Sequence, residues 1–300
     1  MKGHLPVLPE ETMDTLALAS GQTYVDCTAG LGGHSLLAAE LVGADGMVVL
    51  NDLDEANLER AAGAIEGLCG GERVQGNFAE LPRTLAERGI LADAVLADLG
   101  FASVHVDDGE RGFSFMRDGP LDMRYDRTGG AESAAGLVNT LGEAELASII
   151  REFGEERRAK VVAQKLVQVR DVSPIQTTSE LAEAVRSVVP RQRGKGSSID
   201  PATKTFQALR IAVNDEMGSL SALLAAVRHD AEGWLQPGAR IGIISFHSLE
   251  DRLVKQAFGE LVERGKAEHV TAKPVTASED ETRTNPRSRS AKLRVVRMAD

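Results

Sequence analysis

Over the first hundred residues, short apolar runs alternate with stretches whose apolar positions recur at helical spacing. The runs lie near 23–28, 46–51, 73–76 and 94–97; helical stretches begin after Gly33, cover about 55–67 and begin again after Phe78. This alternation predicts a parallel sheet with right-handed crossovers and with ligands held at the carboxyl ends of its strands. Tyr24, Asp52, Phe78 and Asp98 fall at or near strand ends.

Beyond Asp98 the pattern changes. Residues 100–130 are rich in Gly, Asp and Arg, and about 132–189 reads almost wholly helical. Leu146, Ile149, Ile150 and Phe153, then Val161, Val162, Leu166 and Val169, recur at helical spacing. Another helix opens with Thr178 or Ser179 as its cap and stops at Pro190. One long helix over about 202–234 is expected to lead back to the sheet. Sheet character resumes at 239–246, after the turn Gln236-Pro-Gly238, and at 293–298. The α/β domain is therefore expected to be discontinuous, with residues 1–103 and 201–300 forming it and 104–200 forming an inserted helical domain.

The first apolar run breaks into glycines: Thr23-Tyr-Val-Asp-Cys-Thr-Ala-Gly-Leu-Gly-Gly-His34. A strand, a tight turn and a helix start in that order are where an open α/β sheet holds a nucleotide-like cofactor against bare main chain. About twenty residues on, Asp52 and Asp54 end the second run, where a carboxylate can accept hydrogen bonds from ribose hydroxyls. A nicotinamide dehydrogenase shares both features but usually shows GxGxxG, and Gly30-Leu-Gly-Gly-His-Ser35 lacks the third glycine.

With 300 residues and 42% hydrophobic content, the chain has ample core material, and no run resembles a membrane span or secretory signal. A cytoplasmic location is expected. Cys27 and Cys69 are too few for a disulfide framework, and the six histidines show no metal-ligand spacing, so no metal is expected. The net charge of −11 argues against indiscriminate coating of nucleic acid. Basic residues nevertheless cluster: Arg283, Arg287, Arg289, Lys292, Arg294 and Arg297 near the end, and Arg186, Arg191, Arg193 and Lys195 around Gly194 and Gly196. Either cluster suits RNA or a solvated face beside acidic surface.

Five longer motifs carry a family resemblance. Gly32-Gly33-His34, the run from Asp107 to Arg124, Thr205 to Asn214, Ile244 to Arg252, and Asn285 to Ser290 resemble the RsmH (MraW) family over nearly the whole chain. The resemblance implies a Rossmann-like class I methyltransferase of α/β class, with a mostly parallel sheet and an inserted helical domain. It implies transfer of a methyl group from S-adenosylmethionine to the exocyclic N4 amino group of a cytosine in 16S ribosomal RNA, with the small subunit or its assembly intermediate as partner. A homodimer is left open. Carried over position by position, the family's cofactor contacts match Gly32, Gly33, His34, Asp52, Phe78, Asp98 and His105. The chain departs from the family at Ala102-Ser-Val-His105, where similar proteins usually read Ser-Ser-Pro-Gln.

In-line transfer from a sulfonium needs alignment more than acid–base machinery. Cytosine's amino nitrogen is a poor nucleophile, so an acceptor for its N–H would stabilise the charge developing there. Asp98 is the first candidate for that catalytic role, and the Ser103 neighbourhood is the second. An extruded base needs an apolar wall, for which Phe113, Phe115, Phe206 and Phe246 are candidates that could equally be core. Arg111 and Arg124 could grip phosphates or pair with nearby aspartates. His247 could face RNA or be a buried, hydrogen-bonded histidine, and Arg210 and Asn214, one helical turn apart, could line the substrate side.

Overall fold

The computed structural model describes residues 5–100, 108–190 and 200–300. The chain divides into two compact units: Met1–Gly100 with Met217–Asp300, and Phe101–Glu216. In the first unit, seven strands form one sheet in the order β3-β2-β1-β4-β5-β7-β6. They are β1 (Thr23–Asp26), β2 (Met47–Asp52), β3 (Gly70–Gln75), β4 (Ala92–Asp98), β5 (Leu235–Ser245), β6 (Ala267–His269) and β7 (Lys292–Met298). The first five run parallel, and β7 runs antiparallel to both β5 and β6.

Period-two alternation sorts the strand residues onto two apolar faces. Val25, Val49, Val95, Ile241 and Ile243 pack with α4 (Leu81–Arg88), α10 (Glu216–His229) and α11 (Ser248–Glu263). Tyr24, Val48, Leu50, Ala94 and Leu96 pack with α1 (Pro9–Leu16), α2 (Gly33–Val42) and α3 (Glu55–Ile65). Burial on both faces explains why these strands read as unbroken apolar runs. Tyr24, the second residue of β1, lies near the amino end of that strand and is wholly buried in this core.

The second unit is helical: α5 (Ala134–Thr140), α6 (Glu143–Glu152), α7 (Ala159–Arg170), α8 (Thr178–Val188) and α9 (Thr203–Asn214). Its core joins Leu146, Ile150, Val162, Leu166, Leu181 and Val185 to Phe206, Leu209 and Val213 of α9. The helical unit thus extends past residue 200, because α9 buries its apolar face there. The expected single helix over 202–234 is two helices, broken at Asp215, whose φ of +46° is tolerated by a short polar side chain. α8 is capped one residue earlier than expected, by Thr177, whose hydroxyl accepts the Glu180 N–H while Glu180 accepts the Thr177 N–H. The turn Gln236-Pro-Gly238 lies inside β5 as an irregularity in its pairing with β4. Among the described residues no helix is long and apolar enough to cross a membrane.

Candidate active site

The order of the sheet reverses between β1 and β4, and a crevice outside the carboxyl ends of two such strands is where open α/β sheets bind ligands. Asp26 and Asp98 end those strands. Between β1 and α2 the chain turns through Cys27-Thr-Ala-Gly-Leu-Gly32, and Asp52 ends the neighbouring β2.

Asp52 ties the turn to β2. Its Oδ2 accepts the Gly30 N–H at 2.8 Å, and its Oδ1 accepts the Asp54 N–H at 2.8 Å and the Asn57 amide at 3.4 Å. Burial raises its pKa, and the Asp54 and Gly30 N–H groups oppose that rise. Asp54 is a helix cap, accepting the Ala56 N–H at the start of α3.

Asp98 differs from Asp52 because its carboxyl is poorly supplied with donors. Its side chain is 24% exposed, yet Oδ1 is buried and has no hydrogen-bond partner among the described residues. His34 Nδ1 lies 3.7 Å from Oδ2, while His34 Nε2 donates to the Val7 carbonyl at 2.8 Å. Burial first, then the carboxylates of Asp26 and Glu250, hold the Asp98 pKa well above the usual carboxylate range. The Asp98 N–H donates to the Thr28 hydroxyl at 2.8 Å, and the Thr28 N–H donates to Asp26 Oδ1 at 3.2 Å. Asp26 also accepts the Ser35 hydroxyl at 2.6 Å, which anchors the first turn of α2. Asp26, Thr28 and Ser35 were not singled out from the sequence; an acid ending β1, followed by hydroxyl residues in the turn and in the first helical turn, is the signal they left.

The glycines act differently from the expectation at two positions. A Cβ on Gly32, whose φ is +82°, would stand 2.8 Å from the Ala61 Cα of α3, and one on Gly33 would stand 3.1 Å from the Pro6 side chain. Their bare faces therefore serve packing against α3 and the amino-terminal segment. Gly30 has φ +52° and only the Thr28 carbonyl oxygen, at 3.8 Å, near a would-be Cβ. The open main chain is there.

Phe78 follows β3 and is partly buried against the apolar face shared with α4 and α10. His105, Ser103 and Val104 lie outside the described residues, as do Arg191, Arg193 and Lys195. His247 caps α11: its Nδ1 accepts the Glu250 N–H at 3.4 Å, and Nε2 lies 3.1 Å from Glu250 Oε1. The residue is half-buried, and its Nε2 has no hydrogen-bond partner among the described residues. Phe246 is partly buried and would stand 3.6 Å from a Cβ on Gly100.

Within the helical unit, several candidate substrate residues are committed to its own structure. Arg210 forms a two-point ion pair with Glu216, both bonds 2.7 Å, and Asn214 bonds the backbone of Met123 and Tyr125. Arg124 pairs with Asp122, and Arg111 donates to the Arg124 and Tyr125 carbonyls. Phe113 stacks on Tyr125 and Phe115 meets Phe206 edge-on. Arg186 pairs with Asp200. In the basic tail, Lys292 and Arg294 share Asp251, Arg283 pairs with Asp280, and Arg297 pairs with Asp300. Arg287 and Arg289 are exposed.

The sequence matches the MraW methylase family over residues 1–299. "Ribosomal RNA small subunit methyltransferase H" of Geobacter sp. (strain M21) is 46% identical over 312 residues, spanning 98% of this chain and 97% of the relative. The protein of the same name from Symbiobacterium thermophilum is 45% identical, spanning 98% of this chain and 96% of the relative. That from Deinococcus radiodurans is 45% identical over 97% of this chain and 88% of the relative.

Proposed function

The chain belongs to the MraW methylase family, and from that premise we propose that it methylates the exocyclic N4 amino group of a cytosine in small-subunit (16S) ribosomal RNA, with S-adenosylmethionine as donor. The observation behind this reading is Asp98: a carboxyl at the switch point of the sheet with a buried oxygen that has no hydrogen-bond partner among the described residues. An orphaned acceptor of that kind is costly unless a ligand donates to it.

The residues present fit the donor. Gly30 offers open main chain, Asp52 keeps acceptor capacity on Oδ2 for ribose hydroxyls, and Phe78 offers a partly buried ring for adenine. His34 and Asp98 complete the set, and Gly32, Gly33 and His105 join it on family resemblance alone. When bound, S-adenosylmethionine supplies an electrophilic methyl group.

Asp98 then accepts an N–H of the target amine. By doing so it favours rehybridisation of the nitrogen and stabilises the positive charge that grows there. His34 limits how the Asp98 carboxyl can turn, because its ring is fixed from the other side by Val7. Thr28 holds the Asp98 backbone, so the acceptor is placed before substrate arrives. The exposed Arg287 and Arg289 contact RNA phosphates. A cytoplasmic location follows from the substrate.

The test is transfer of a labelled methyl group to purified small-subunit RNA, followed by nucleoside mass spectrometry. N4-methylcytidine at one position is expected. Label on another base, or binding of reduced nicotinamide cofactor in place of S-adenosylmethionine, would refute the reading.

A further inference from the structure

Asp26 is 1% exposed, and its two oxygens are held by the Ser35 hydroxyl and the Thr28 N–H. Neither Asp26 nor Asp98 pairs with a lysine or arginine among the described residues; His34, at 3.7 Å from Asp98, is the basic group that reaches either. Facing them are Tyr24 on β1, whose buried hydroxyl lies beside the Asp26 carboxyl and eases its charge, Asp52 on β2, and Glu250 on α11 with His247 beside it. The carboxyl ends of β1 and β4 therefore hold acids with no lysine or arginine against them among the described residues. Uncompensated buried negative charge is unfavourable until a cation offsets it.

We propose that Asp26 is a specificity-determining residue that makes the site prefer the cationic methyl donor over its neutral product. This rests on the methyl-transfer function proposed above. As the methyl group moves, the C–S bond breaks with its electron pair left on sulfur, the amine lone pair forms the N–C bond, and one N–H proton departs through Asp98 to solvent. The ligand's sulfonium charge is lost in that step, and the attraction of Asp26 for it is lost as well. Asp26 thereby favours exchange of product for fresh donor. It acts through its field across the base of the site, held there by the Thr28 N–H and the Ser35 hydroxyl, and makes no contact with the reacting atoms.

Burial lifts the Asp26 pKa to about 6, and that of Asp98 rises with it. A cation bound beside them lowers both, so donor binding near pH 6 to 7 releases protons and tightens as pH rises, whereas product binding does so far less.

Calorimetric titration with S-adenosylmethionine and with S-adenosylhomocysteine, in two buffers of different ionisation enthalpy, reads both quantities. Asp26→Asn is expected to weaken donor binding about tenfold and product binding less than twofold. Ser35→Ala, which removes a hydrogen bond and keeps the charge, is expected to retain the wild-type ratio of affinities. An unchanged ratio in Asp26→Asn, or the same loss in Ser35→Ala, overturns the inference while leaving methyl transfer intact. If wild-type protein binds neither ligand, the functional reading falls and the inference with it. Should Asp26→Asn fail to fold, wild-type proton release decides: equal release with both ligands, or none with either, overturns it.

Discussion

Replacing Asp26 by asparagine should make the fold more stable at alkaline pH, at the expense of donor selectivity. Asp26 is held to about 6 in the folded protein by burial, against an ordinary value of 3.8. A carboxyl whose pKa is raised by folding binds more protons in the native than in the unfolded state between those two values, so stability falls as pH rises through that window. The difference of 2.2 units, 6 minus 3.8, corresponds to about 3 kcal/mol of destabilisation fully developed above pH 7. At pH 4.5 it is about 1 kcal/mol, and at pH 3 it vanishes. Asparagine removes the charge and keeps the shape: its carbonyl can accept the Thr28 N–H, and its amide can donate to the Ser35 hydroxyl. Urea unfolding of wild type and Asp26→Asn at pH 8 and pH 4.5 measures the effect. A gain of about 2 to 3 kcal/mol at pH 8, shrinking below about 1 at pH 4.5, is expected. A variant less stable than wild type at pH 8, or a gain independent of pH, would show that the buried Asp26 charge does not destabilise the fold.

Asp98→Asn should lower single-turnover methyl transfer by about a hundredfold with donor saturating; if only donor affinity changes, Asp98 is a binding residue and not a catalytic one. Gly32→Ala should destabilise the fold by about 3 kcal/mol or more, since it combines φ +82° with a Cβ 2.8 Å from the Ala61 Cα; a melting temperature within a degree or two of wild type would contradict the packing role assigned to that glycine. Replacing Arg287 and Arg289 together with alanine should weaken RNA binding and flatten its logarithmic salt slope by about 1.4, with donor affinity unchanged. An unaltered slope removes the tail from the RNA surface.

What the sequence disclosed was chiefly what its local pattern encodes. Strands buried on both faces read as apolar runs, so β1, β2 and β4, and the acids ending the latter two, Asp52 and Asp98, could be placed from residue types alone. Short β6 and helix α1 left no such run and were missed. Partners distant along the chain were also invisible. Gly33 is bare because Pro6 packs on it, and Arg210 and Asn214 are committed to Glu216 and to the backbone 89 and 91 residues away. Helical spacing correctly put those two on one face but could not say what that face meets. The same limit hid Asp26: nothing in Val-Asp-Cys-Thr reveals that its carboxylate is enclosed by Ser35 and Thr28 without a cation.

The most direct measurement is a crystal structure with S-adenosylhomocysteine bound. Its ribose is expected against Asp52, with Gly30 as its main-chain neighbour and its sulfur on the Asp98 side of the turn between β1 and α2. A ligand seated elsewhere, with Asp98 Oδ1 still unpartnered and the main chain at Gly30 bare, would contradict that placement.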